Sequence, residues 1–161
     1  MLLGSIISRL SDVNAAQYAF TTIFRPLNIT QYQWTPWPAS GEIPVGSTLR
    51  MKPTDMAKLG QLYLDNGLWN GERIISESWI NQATQKYSTF SWGGYGYQWW
   101  LLDFQINGHN VTVPRATGYG DQLVYYIDEL NMVVAFTSEN YDLQTTYDWD
   151  IMQYYIIPAT E

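Results

Sequence analysis

Few side chains in this sequence can do acid–base or nucleophilic chemistry. It has one histidine, His109, three lysines (Lys52, Lys58, Lys86) and no cysteine. A lone histidine cannot build a multi-histidine metal site within one chain, and disulfides and thiolate zinc sites need cysteine. His109 follows the turn pair Asn107-Gly108 and reads as an exposed turn residue. Asp142, Asp148 and Asp150 lie close together near the C-terminus but lack the ligand spacing and glycine of an EF-hand loop. They read as ordinary solvated carboxylates, so no metal is expected. The more informative stretch is Ala116-Thr117-Gly118-Tyr119-Gly120-Asp121-Gln122, with glycines at two of three consecutive positions leading into a β-rich run. A glycine at the start of a strand marks a bulge or the close approach of another group.

Around this stretch the pattern is that of a hairpin. Gln122–Ile127 and Met132–Ser138 are rich in Val, Tyr, Ile and Phe, and Asp128–Asn131 supplies a short break between them. Upstream, Leu2, Leu3, Ile6, Ile7 and Leu10 recur at helical spacing. Asn14 is placed to cap a second helix with Gln17 at its third position; Tyr18, Ile23 and Phe24 offer an apolar face and Pro26 ends it. Thr30 to Thr48 carries three prolines and two glycines and is expected to be loop, with the rings of Trp34 and Trp37 shielding the core edge. Pro53 suits the first position of a third helix, with Met56, Leu59, Gly60 and Tyr63 inward and Leu62 beside them, stopped by Asn66-Gly67. Ser76 caps a fourth helix with Trp79, Ile80 and Ala83 inward. Lys86 to Gly94 reads as loop, and Tyr95 to Phe104 as a strand with Tyr97, Trp99 and Leu101 on one face. Ile106 to Val113 reads as its return. Tyr147 to Ile157 is a last helix, with Trp149, Met152, Tyr155 and Ile156 set to pack on the sheet. Helices followed by strands indicate an α+β fold, an antiparallel sheet packed against helices.

The totals narrow the function. At 161 residues and 46% hydrophobic, the chain is expected to form a single domain with a sizeable core. A net charge of −7 argues against nucleic acid, since phosphate contacts need clustered Lys and Arg. No apolar run reaches the length of about 18 residues that a membrane span needs.

The ordered blocks LLGSIISRLSDVNAAQYAFTTIFRPLNI (Leu2–Ile29), LRMKPTDMAKLGQLYLDNGLWNGERIISESW (Leu49–Trp79), YGYQWW (Tyr95–Trp100) and ATGYGDQ…DELNMVV resemble the C-terminal portion of the serine β-lactamase-like family. That family comprises class C β-lactamases, penicillin-binding DD-peptidases and related esterases. Ala116-Thr117-Gly118 occupies the place of the family's Lys/His-Thr-Gly triplet. The resemblance implies acyl transfer to a serine in Ser-x-x-Lys, with the lysine and the tyrosine of Tyr-x-Asn handling protons. Neither motif is present: no lysine follows a serine by three, and no asparagine follows a tyrosine by two. The nearest mimic, Ser47-Thr48-Leu49-Arg50, ends in an arginine that stays protonated. The nucleophile is therefore expected upstream of Met1, and the chain alone is expected to be inactive.

What the resemblance leaves here is the pocket edge. The Tyr119 backbone amide matches the oxyanion donor, Thr117 could bond a substrate carboxylate, and Gly118 lets substrate pass close; Gly120 and Gln122 complete the substrate-binding set. Ala116 departs from the family's Lys or His, and Asp121 brings negative charge where relatives often have glycine. A neutral ester, amide or peptide substrate fits better than an anionic β-lactam, and no cofactor is implied. The alternative reading is a binding module using the aromatic surface and the old substrate edge. With the upstream half missing, uncovered apolar surface is expected to drive a homodimer or swapped dimer.

Overall fold

The computed structural model describes residues 2–141 and 147–160. Its centre is a six-stranded antiparallel sheet in the order β10-β9-β8-β7-β6-β5. The strands are β5 (Ser88–Phe90), β6 (Gly93–Tyr95), β7 (Trp100–Ile106), β8 (His109–Gly118), β9 (Gln122–Ile127) and β10 (Met132–Phe136); β1 (Tyr32–Trp34) with β2 (Leu49–Met51), and β3 (Leu68–Trp69) with β4 (Glu72–Arg73), form two separate ribbons. Consecutive strands are neighbours throughout, so the sheet is a meander. The β9–β10 hairpin is the one its sequence implies: Met132 pairs with Ile127 and Phe136 with Leu123 across a single turn of 3-10 helix at Asp128–Leu130.

Helices cover both faces. On one, α5 (Tyr147–Ile151), which runs on as a π-helical turn (Met152–Ile156), sets Met152 and Ile157 against Phe104, Val113, Leu123 and Tyr125. On the other lie α3 (Pro53–Leu64) and α4 (Glu77–Ala83), whose Leu64 and Ala83 pack with Trp99, Leu101 and Tyr126. In β9, Leu123 to Ile127 are all buried, as expected of a strand covered on both faces. Each fully buried aliphatic side chain there contributes about 1.5–3 kcal/mol.

The local signals hold where they depend on backbone chemistry. The Asn14 side chain accepts from the Gln17 amide at the start of α2 (Ala15–Ala19), and Ser76 accepts from the Trp79 amide at the start of α4. Pro53 opens α3. The buried stripe of α3 is shifted from the expected one: Gly60, Leu62 and Leu64 are buried, while Met56, Leu59 and Tyr63 are half-buried. The reason is Gly60, where an added Cβ would lie 2.7 Å from both Val124 and Val133. Lacking one, the helix seats directly on β9 and β10.

Other expectations are corrected. The proline-rich segment is not all loop: β1 (Tyr32–Trp34) pairs with β2 (Leu49–Met51) and, with α2 and its π-helical continuation (Phe20–Phe24), encloses Phe24, Leu27 and Ile29. Lys86 to Gly94 contains β5 and two of the three residues of β6. The strand read as continuous from Tyr95 breaks between Tyr95 and Trp100, where the Gly96 amide donates to the Trp99 carbonyl and Gln98 takes a φ of 65°. Trp79 and Tyr155 are exposed rather than inward, and Tyr97, read on one face with Trp99 and Leu101, is exposed while those two are buried.

A candidate active-site edge

The register of β8 makes an open edge at the stretch with the two glycines. On one side β8 pairs with β7 from His109 (opposite Ile106) to Arg115 (opposite Trp100), where the pairing stops. On the other side β9 continues: Ala116 faces Val124, Thr117 faces Leu123, and Gly118 faces Gln122. Ala116, Thr117 and Gly118 therefore have a strand on one flank only. Thr117 and Gly118 are exposed, and Ala116 is half-buried against the Trp99–Tyr126 cluster. A strand edge of this kind presents backbone groups to whatever lies alongside.

The turn that follows is braced from one side by the chain leaving β10. Gly120, at φ 77°, is buried under the Tyr141 ring; a Cβ there would lie 2.5 Å from Tyr141 Cε1. The Ser138 hydroxyl donates to the Gly120 carbonyl at 2.7 Å, and the Gln122 side-chain amide donates to it at 3.0 Å and to the Ser138 carbonyl as well. Asn140 Nδ2 donates to Asp121 Oδ2 at 2.9 Å. The Tyr119 ring is mostly exposed and lies against Tyr141, centroids 5.1 Å apart. Five of the sequence-derived site residues are thus brought together. Thr117, Gly118 and Tyr119 lie on the accessible surface, whereas Gly120 and the amide of Gln122 hold the turn's shape.

Beneath the edge is a cluster that sequence reasoning missed. Arg115, one residue before the triplet, places its guanidinium 2.7 Å from Asp148 on α5 and 3.3 Å from the Tyr125 hydroxyl, which itself donates to Asp148. Asp148 is buried and paired, which corrects its reading as a solvated carboxylate; Asp142 lies outside the described residues. Burial pushes the Tyr125 hydroxyl well above the ordinary tyrosine range; the Arg115 charge pulls the other way and Asp148 pushes it further up. For Arg115, burial disfavours the charge, but the Tyr125 and Asp148 oxygens outweigh it and hold the guanidinium charged. The cation in the edge strand is therefore already neutralised within the fold. A charge inside an otherwise strand-like run was the available signal for such a pair. Among the described residues no group of acidic and histidine side chains could hold a metal ion, and no helix is long and apolar enough to cross a membrane.

With this geometry in hand, the solved structures decide the fold. One assigned as a 6-aminohexanoate-dimer hydrolase from Bacillus anthracis superposes with a TM-score of 0.79 over 98% of this chain, at 20% identity. The fold is β-lactamase-like. The octameric penicillin-binding protein homologue from Pyrococcus abyssi matches 86% of the chain, with a TM-score of 0.64 and 22% identity. The β-lactamase-like region seen here spans 41% of the first structure and 36% of the second. No family model and no curated protein matched the chain.

Proposed function

We propose that this chain is the C-terminal part of a β-lactamase-like serine hydrolase and forms one wall of its acyl-transfer pocket. The observation that carries the reading is the open flank of Ala116-Thr117-Gly118, where β7 stops and β9 continues. In this role the Tyr119 amide stabilises the oxyanion of the tetrahedral intermediate, a contribution of about 2.7–4 kcal/mol for one such donor. Thr117 bonds the substrate beside the scissile carbonyl, and Gly118 leaves room for it. The serine, and the groups that take and return its proton, belong to polypeptide upstream of this chain. The substrate is a neutral ester or amide, because Asp121 is in the turn and Arg115 is spent on Asp148. Alone, the chain turns nothing over.

The test is a chimera in which this chain replaces the matching region of the Bacillus anthracis protein. A chimera with the parent's far-ultraviolet circular dichroism is expected to hydrolyse neutral p-nitrophenyl esters. Tyr119→Pro, which deletes the amide, should then lower kcat about 10²–10³-fold. A folded chimera that is inactive, or one indifferent to Tyr119→Pro, contradicts the assignment.

A second reading, a binding module, is favoured by one observation. Tyr87 and Tyr97 stack at 4.7 Å beside Trp79, and Phe90 stacks on Trp92 at 5.0 Å, and all five rings are exposed. Tryptophan fluorescence unchanged by both glycans and acyl peptides would remove it.

A further inference from the structure

The chain carries 13 tyrosines, and among the described residues three tyrosine pairs lie ring to ring. Tyr63 and Tyr126 are tilted at 41° within the core cover of α3 and β9. Tyr119 and Tyr141 are tilted at 43° at the turn before β9. Tyr87 and Tyr97 differ from both. Their rings are parallel to within 8°, with centroids 4.7 Å apart, and the two side chains are 50% and 45% exposed.

The backbone holds this pair in place. The Tyr87 amide donates to the Tyr95 carbonyl at 3.0 Å, at the end of the β5–β6 pairing. The Tyr97 amide donates to the Ala83 carbonyl at the end of α4, at 2.8 Å. Gly96 permits that seat: a Cβ on it would lie 2.1 Å from the same Ala83 oxygen. Trp79 lies beside the Tyr97 ring, centroids 5.7 Å apart. Contact with the Tyr97 hydroxyl, ahead of burial, raises the Tyr87 hydroxyl above the ordinary tyrosine range. The two hydroxyls therefore sit at the same end of the stack, and the ring carbons that flank them face one another.

We propose that Tyr87 and Tyr97 form an oxidative cross-linking site, at which a haem peroxidase acting with hydrogen peroxide joins them as dityrosine. Each phenol gives up one electron and its hydroxyl proton, and the peroxide takes the two electrons and two protons and leaves as two waters. In each phenoxyl radical the unpaired electron lies in the π system, with density on the carbons beside the oxygen, so a new bond forms where ring faces meet. The parallel pair offers that approach and the two tilted pairs do not. A bond closes between a Cε of Tyr87 and a Cε of Tyr97. The hydrogen on each of those carbons then moves to its oxygen, which restores both phenols. Because the rings are already held together, this step outruns coupling between separate molecules. The product ties the chain entering β5 to the chain leaving β6, the outermost hairpin of the sheet. Both reacting groups belong to this chain, so the inference needs no covering partner and stands independently of the hydrolase assignment.

The test treats the purified chain, at low micromolar concentration, with a haem peroxidase and one equivalent of hydrogen peroxide. The products are separated on a denaturing gel and mapped by mass spectrometry. The expected product runs as a monomer, fluoresces as dityrosine and is lighter by two hydrogen atoms. Digestion that cuts between Tyr87 and Tyr97 should leave their two peptides joined. Tyr87→Phe and Tyr97→Phe should each abolish the monomer's dityrosine fluorescence with circular dichroism unchanged, and Tyr141→Phe should leave the fluorescence as it was. Fluorescence that survives Tyr87→Phe, or a bond mapped to Tyr119 and Tyr141 in its place, overturns the proposal. So does dityrosine confined to dimers and larger species, or recovery of Tyr87 and Tyr97 unjoined under conditions that couple free tyrosine.

Discussion

Arg115 and Asp148 tie β8 to the C-terminal helix through one mostly buried ion pair. Removing one partner leaves the other charge buried alone, a loss of about 3–5 kcal/mol. Asp148→Leu should lower the urea midpoint accordingly, and the double variant Arg115→Met with Asp148→Leu should recover most of it. Recovery absent from the double variant would mean the pair acts through something other than charge. Two buried tyrosines, one on each face of β9, set an alkaline limit. Burial first, with smaller electrostatic contributions, raises Tyr125 and Tyr126 in the folded state. Their unfolded hydroxyls ionise near about pH 10 while the folded ones stay neutral, so stability is full below that pH and falls as pH rises past it. Tyr126→Phe should flatten the fall in melting temperature between pH 9 and pH 11 (about one unit either side of the free tyrosine value). At the acid end the sign reverses for Asp103. Burial alone would raise its carboxyl, but the Lys86 ammonium at 2.8 Å and the Thr112 hydroxyl hold it below the usual carboxylate range. Its contribution is present above about pH 3.9 and is lost as pH falls below that value.

At the scale of elements, α3 depends on one missing side chain. Gly60→Ala places a Cβ where Val124 and Val133 already stand, so the helix must lift from β9 and β10. The expected cost is about 1–3 kcal/mol, read as a lowered melting temperature with unchanged helix content. Positions of this kind explain what the sequence does and does not reveal. Helix caps at Asn14 and Ser76, Pro53 at a helix start and the β9–β10 hairpin were legible because each depends on near neighbours in the chain. The β1 strand was hidden because the prolines that follow it mask a partner fifteen or so residues away, a span longer than typical connections. The inward placement of Trp79 and Tyr155 failed because periodicity registers apolar side chains without saying whether anything covers them. The triplet Ala116-Thr117-Gly118 was legible as the edge of a strand, but its bracing by Ser138, Asn140 and Tyr141 was not. Those are contacts between segments some twenty positions apart, made by side chains too common to carry a signal.

At the scale of the whole molecule, the chain holds the sheet, both its helical covers and the open flank of β8, within two-fifths of the length of the first structure it matches. The sheet ends at β10, a strand of five uncharged residues, and α1 (Leu2–Ser11) faces outward with its leucines. The proposal that the chain alone is inactive rests on a residue inventory: no lysine is three positions after any serine, and no asparagine is two after any tyrosine. The most direct measurement is intact-protein mass spectrometry after incubation with a fluorophosphonate. The account predicts an unmodified mass under conditions that fully label an intact serine hydrolase of this fold. A stoichiometric adduct on a single serine would contradict it, because the attacking hydroxyl would then reside in these 161 residues.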